Sequence, residues 1–107
     1  MKSNVHTYTS VFNFRNQSCR EQFLEFARGP DGLSVTSNYP GCLSLTLYQS
    51  DTHPNRMVII QTWDSPNNKK KYLAMRQQQG TYRFLSTLVE TPMELDLLTP
   101  VQLVSKL

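Results

Sequence analysis

Two short runs near the middle of the chain constrain it most. "CLSLTLYQS" (42–50) alternates apolar and polar residues, and "MVIIQTW" (57–63) is rich in β-branched side chains. Period-two alternation marks a strand with one face covered. The polar loop "DTHPNR" between the runs is short enough to close them into an antiparallel hairpin. In the first run Leu43, Leu45 and Leu47 share one face and Ser44, Thr46 and Tyr48 the other. In the second, Met57, Ile59, Gln61 and Trp63 face one way and Val58, Ile60 and Thr62 the other. The second run is the more apolar, which predicts a central place in its sheet.

The flanking segments supply the rest of a layered fold. "VHTYTSVFNF" (5–14) reads as a strand, with His6, Tyr8, Ser10 and Phe12 on one side. In "NQSCREQFLEFARGP", Ser18 and Glu21 have capping-box spacing, Phe23, Phe26 and Ala27 share a helical face, and Gly29-Pro30 ends the helix. Leu33 and Val35 anchor one more short helical turn. Ser65 is a good N-cap with Pro66 at the first helical position, and this helix runs to about Gln79. Gly80-Thr81 interrupts it, and Thr81 can cap a second piece containing Phe84, Leu85, Leu88 and Val89. "MELDLL" (93–98) alternates again. The order β-α-β-β-α-β predicts an α+β, ferredoxin-like protomer: a four-stranded antiparallel sheet with helices on one face. Apolar rows on both sides of the sheet predict a homodimer packed sheet against sheet. The chain is expected to form a single domain, 1–107, with its core over residues 5–98 and a tail, 99–107, that forms a further short strand or an arm onto the partner.

Composition excludes more than it identifies. At 107 residues, 38% hydrophobic and 18% charged, the chain is long enough for one ordinary globular domain. The net charge of +3 comes partly from Lys69-Lys70-Lys71, which reads as the solvated back of a helix, so no nucleic-acid partner is expected. No apolar run approaches a membrane span and no signal-peptide core begins the sequence, so a soluble cytoplasmic protein without a membrane partner is expected. Cys19 and Cys42 are too few for a disulfide framework and lack metal-ligand spacing; both read as small buried side chains. No Ser-His-Asp or Cys-His set, paired carboxylates or phosphate-cradling glycine loop can be assembled.

The segments "YPGCLSLTLYQS" (39–50), "NRMVIIQTWDSP" (55–66) and "YLAMRQQQGTYRFLSTL" (72–88) resemble the antibiotic biosynthesis monooxygenase family of small dimeric α/β-barrel proteins. That family shows a Pro-Gly-Cys-type lead into its second strand and a Trp-x-Ser at the end of its third. One branch carries the Tyr-Leu-Ala-x-Arg helix found here at Tyr72–Arg76. The resemblance implies sheets paired into a dimeric barrel and a cavity between sheet and helices. Characterised members oxidise polycyclic aromatic substrates with O₂ and neither metal nor flavin; others degrade haem, act on quinones, or have no assigned role. Haem-degrading members bind iron through a histidine on the helix after the tryptophan. Here Tyr72 stands nine residues after Trp63 and no histidine follows, which argues against haem. Some aromatic-oxidising members carry an asparagine in the third strand; the nearest amide here is Gln61.

These residues define the expected chemistry, with no cofactor and no metal. A cofactor-free oxygenase needs a dry aromatic pocket, a group that moves a proton, and a cation or amide for the developing oxyanion. Trp63 is placed to stack a flat ring, Tyr72 to relay a proton or orient a phenol, and Arg76, at i+4 from Tyr72, to hold an anionic oxygen. Gln61, Tyr48 and His6 are the candidate substrate-binding residues. The same side chains read equally well as structure: Trp63 as core, Tyr72 as a packing stripe, Arg76 as a salt-bridge partner. Two functions therefore stand side by side. One is a cofactor-independent monooxygenase acting on a small aromatic or quinone-like compound. The other is a non-catalytic dimeric barrel that binds a small hydrophobic ligand or has a stress-related role.

Overall fold

Strands and helices follow the expected order in the computed structural model, which describes residues 5–101. The strands are β1 (His6–Asn13), β2 (Cys42–Gln49), β3 (Arg56–Trp63) and β4 (Glu94–Leu98). The helices are α1 (Gln17–Arg28), α2 (Leu33–Ser37), α3 (Pro66–Gln78) and α4 (Thr81–Ser86). The sheet runs β2-β3-β1-β4, and every neighbouring pair is antiparallel. β2 and β3 form the expected hairpin, and β3 is central. This is the ferredoxin-like arrangement, with the helices on one face.

Local chemistry explains the boundaries and corrects two of them. Ser65 caps α3, its side chain accepting from the Asn68 N–H, with Pro66 beginning the helix. At α1 the cap is Asn16 rather than Ser18: the Asn16 side chain accepts from the Cys19 N–H, and Ser18 lies inside the first turn. Asn is as good a cap as Ser, and starting earlier gives the helix two more residues. Thr81 does not cap α4. Gly80 does, at φ +77°, a left-handed conformation that glycine adopts without penalty and that breaks α3 from α4. Leu88 and Val89 lie past the end of α4, where Val89 bridges to Phe14. The part of the expected tail beyond residue 101 lies outside the described residues. Cys19 and Cys42 are free and only partly buried.

The layer between sheet and helices divides into two unlike halves. One is an apolar core in which Phe12, Phe14 and Phe23 cluster, with ring centroids 5.0 and 5.1 Å from Phe23 to the other two, packed with Met57, Ile59 and Leu85. The other begins where β3 continues to Gln61 and Trp63. Ser10, Thr36, Gln61, Lys69 and Arg76 are the buried polar and charged side chains among the described residues, and all five line one inner cavity. Burying polar groups is costly unless they find partners, so their concentration in one place is a departure from simple core packing.

Candidate functional site

The end of β3 and the inner face of α3 build the site. Strand alternation turns Gln61 and Trp63 toward the helices. The helical repeat turns Lys69, Tyr72 and Arg76 toward the sheet, at i, i+3 and i+7. Trp63 is wholly buried, at 0% exposure. Its ring lies 5.3 Å from that of Tyr72 and 6.2 Å from that of Tyr39; Tyr39 meets Tyr72 edge-on at 5.4 Å.

Lys69 is the residue the sequence reading misplaced. Lys70 and Lys71 are exposed as expected, but Lys69 is 3% exposed and points inward. Its Nζ donates to Gln61 Oε1 at 2.8 Å, an oxygen that also accepts from Trp63 Nε1 at 2.7 Å. The ammonium lies 5.2 to 5.3 Å from the ring centroids of Tyr8, Trp63 and Tyr72, a three-sided cation–π cage. No carboxylate lies within ion-pair distance of it among the described residues. Loss of hydration pulls its pKa from 10.5 down to about 8, against a smaller upward pull from Cys42. Cys42 is itself pushed up by burial, partly offset by the charge of Lys69. The helical spacing of Lys69 to Tyr72 and Arg76 was the available sequence signal.

Arg76 is 2% exposed, and each of its three nitrogens donates a hydrogen bond. Nη1 donates to the carbonyl of Asp31 at 2.8 Å, Nη2 to the carbonyl of Gly32 at 2.7 Å and to Thr36 Oγ1 at 3.0 Å, and Nε to the Tyr72 hydroxyl at 2.8 Å. Tyr72 and Thr36 share a further hydrogen bond of 2.5 Å. The guanidinium thus ties the start of α2 to α3 and fixes the Tyr72 phenol. Gly32 also lets the start of α2 pack tightly on the end of α1, since a Cβ there would lie 2.2 Å from the carbonyl oxygen of Phe26. Tyr82 also lines the cavity; burial, then the nearby Tyr72, push its phenol well above the usual range, although Arg76 acts in the opposite sense.

The remaining two candidates fall differently. His6 pairs directly with Trp63 in the β1–β3 register and so shares the helix-facing side, half-buried at the end of the sheet. Tyr48 pairs with Val58 on the opposite, open face and is 51% exposed. The pleat that turns Gln61 inward turns Val58 and Tyr48 outward, so Tyr48 is not part of this pocket within the protomer.

The cavity itself is small, about 40 Å³, enough for a water or two. Beside it lies a groove of about 200 Å³ between α3 and the β1–β4 edge, lined by Tyr8, Lys69, Leu73, Leu95 and Leu97 among others. The groove exists because the helices do not reach over β4, leaving the helix-facing Leu95 and Leu97 about half exposed. Lys69 lines both spaces. Among the described residues no three His, Cys, Asp or Glu side chains gather as a metal site would require, and no helix is long and apolar enough to cross a membrane.

Fold and site together define a ferredoxin-like α+β protein with an occluded aromatic pocket. The sequence profile of the antibiotic biosynthesis monooxygenase family matches residues 10–83, and the chain belongs to that family. No curated protein matches it by sequence. Among solved structures it is similar to a conserved protein from Methanosarcina mazei, with TM-score 0.79 and 11% identity, covering 91% of this chain and 93% of that one. It is similar to the ActVA-Orf6 monooxygenase of Streptomyces coelicolor in complex with nanaomycin D, with TM-score 0.73, 21% identity and coverage of 94% and 92%. It is also similar to a variant of SnoaB, a cofactor-independent oxygenase from Streptomyces nogalater, with TM-score 0.73, 18% identity and coverage of 96% and 99%. At these identities the likeness shows the fold.

Proposed function

We propose that the chain is a cofactor-independent monooxygenase that oxidises a small aromatic or quinone-like compound with O₂ in the pocket between the sheet and α3. The observation that carries this reading is the clustering of the buried polar side chains around one aromatic cage, in a family fold shared with oxygenases. An electron-rich aromatic CH₂ or C–H that loses a proton gives a carbanion able to pass electrons to O₂ directly. Oxidation of a CH₂ to a carbonyl then places one oxygen atom in the product. The other leaves as water with the two substrate hydrogens, so no external reductant is needed. Tyr72, which lines the cavity, orients the substrate's oxygen, while Trp63, wholly buried and outside the cavity lining, and the engaged Arg76 act as positioning residues for Tyr72.

Measured O₂ uptake with anthrone-like and quinol compounds tests the proposal. The parent should consume O₂ with at least one of them, and Tyr72→Phe should be at least tenfold slower. Equal rates in parent and variant would overturn this site. The tightness of the 40 Å³ cavity favours one alternative, a ligand-binding barrel without catalysis. It would be supported by binding with no O₂ consumed. We also propose a homodimer through the open sheet face, where Tyr48 and Leu98 are 51% and 43% exposed. A monomer by light scattering at micromolar concentration would refute that.

A further inference from the structure

Lys69 is a buried cation that the fold does not neutralise. One of its three N–H donors is used, on Gln61 Oε1, and its other neighbours are ring faces. Cys42 from β2, Tyr8 from β1 and Tyr72 along α3 are the titratable groups around it, and none is a carboxylate. A buried ammonium with spare donors is complementary to an anion, because a charge-assisted hydrogen bond recovers what desolvation cost. The groove fixes how such an anion arrives. Its walls are apolar at Leu73, Leu95 and Leu97; Asp96 lines the rim on the exposed strand β4; Lys69 lies where groove and inner cavity meet. Its size sets the ligand, since a dry cavity of about 150 Å³ holds benzene. A groove of about 200 Å³ has room to enclose one ring or two fused rings.

We propose that Lys69 holds the substrate's oxygen, and that the site takes one- or two-ring aromatic compounds with an ionisable hydroxyl, bound as the phenolate through the groove between α3 and β4. The inference rests on the pocket of the oxidation proposed above, but it concerns binding and is tested without turnover. The phenol loses its proton to solvent on binding and its O⁻ accepts from the Lys69 ammonium.

The probe is 4-nitrophenol, whose phenolate is yellow and which is not consumed by O₂, compared with its methyl ether, 4-nitroanisole. Trp63 is the only tryptophan in the chain and lies 5.3 Å from the Lys69 ammonium, so its fluorescence reports occupancy. At about pH 6, where the free phenol is mostly neutral, the bound compound is expected to be yellow and to bind at least tenfold more tightly than the ether. Lys69→Met should abolish both the colour and the preference for the phenol over the ether. If that variant does not fold, the colour in the parent decides. A bound phenol that stays colourless, equal affinity for phenol and ether, or a preference that survives Lys69→Met would overturn the proposal. Failure of O₂ uptake with a phenolate still bound would count against the oxidation and leave Lys69 in place.

Discussion

Replacing Lys69 by Met should make the protein more stable. The side chains are similar in length, and Met adapts well to irregular space. Lowering the Lys69 pKa from 10.5 to about 8 corresponds to about 3 kcal/mol acting against folding while the amine is charged. The three aromatic rings return part of this, at about 0.5–1 kcal/mol each, or about 1.5–3 kcal/mol together. The Met variant leaves no orphan, because Gln61 Oε1 keeps its bond from Trp63. The expected gain at pH 7 is up to about 1.5 kcal/mol, or up to about 10 °C in Tm for a domain of this size. Its pH dependence has a definite sign. Below pH 8 the lysine is protonated in both folded and unfolded chains, and the full penalty applies. Between about 8 and 10.5 the folded chain has released the proton that the unfolded chain still holds, so the parent gains stability as pH rises. The variant's advantage should therefore be largest below pH 8 and gone near 10.5. Taking the difference between the two proteins, by urea titration across that range, removes most of the opposite trends from Cys42 and Tyr82, whose raised values favour the folded state at lower pH. A variant less stable than the parent at pH 7, or a difference that does not change with pH, would refute the description of Lys69 as a buried, unpaired ammonium.

Three further outcomes are expected. Arg76→Ala should cost about 3–5 kcal/mol in urea denaturation, because it removes four hydrogen bonds from a buried charged group and strands the carbonyls of Asp31 and Gly32. Arg76→Lys should recover only a minor part, since an ammonium cannot span both carbonyls and the Tyr72 phenol. Gly32→Ala should destabilise by about 2 kcal/mol or more and shift Trp63 fluorescence, because its methyl meets two α1 carbonyl oxygens at 2.2 and 2.4 Å. Asn16→Ala should cost about 1 kcal/mol by thermal melt, and Ser18→Ala close to nothing, since Asn16 makes the cap.

Much of the architecture could be read from hydrophobic period alone. The alternation of 42–50 and 57–63 gave the hairpin, and the Ser65-Pro66 pair located the start of α3, because both signals are local. The misplaced caps show the limit of local reading. Ser18 with Glu21 has the right spacing for a capping box, yet Asn16 offers an equally good acceptor two residues earlier, and only the docking of α1 on the sheet chooses between them. Tyr48 falls outside the protomer's pocket for a different reason. The alternation separates the two faces of β2 but does not say which face meets the helices, and that follows only from pairing Leu45 with Gln61 and Leu47 with Ile59.

Lys69 was hidden by a rule that is right for its two neighbours. A run of three lysines is ordinarily solvent-facing, and Lys70 and Lys71 obey that. Successive side chains on a helix turn by about 100°, so in a helix packed on a sheet the phase of the buried stripe, and not the run of like residues, decides which lysine faces inward. Once Tyr72 and Arg76 are taken as the inward face, position 69, three residues before the tyrosine and seven before the arginine, falls on that same face. Helical phase therefore outweighs composition here. A cation turned inward by phase, without a carboxylate beside it, has either a cost without return or a ligand to hold. The three rings and the Gln61 oxygen around it lower that cost without cancelling its charge, and the groove of about 200 Å³ leaves that charge within reach of a small anion.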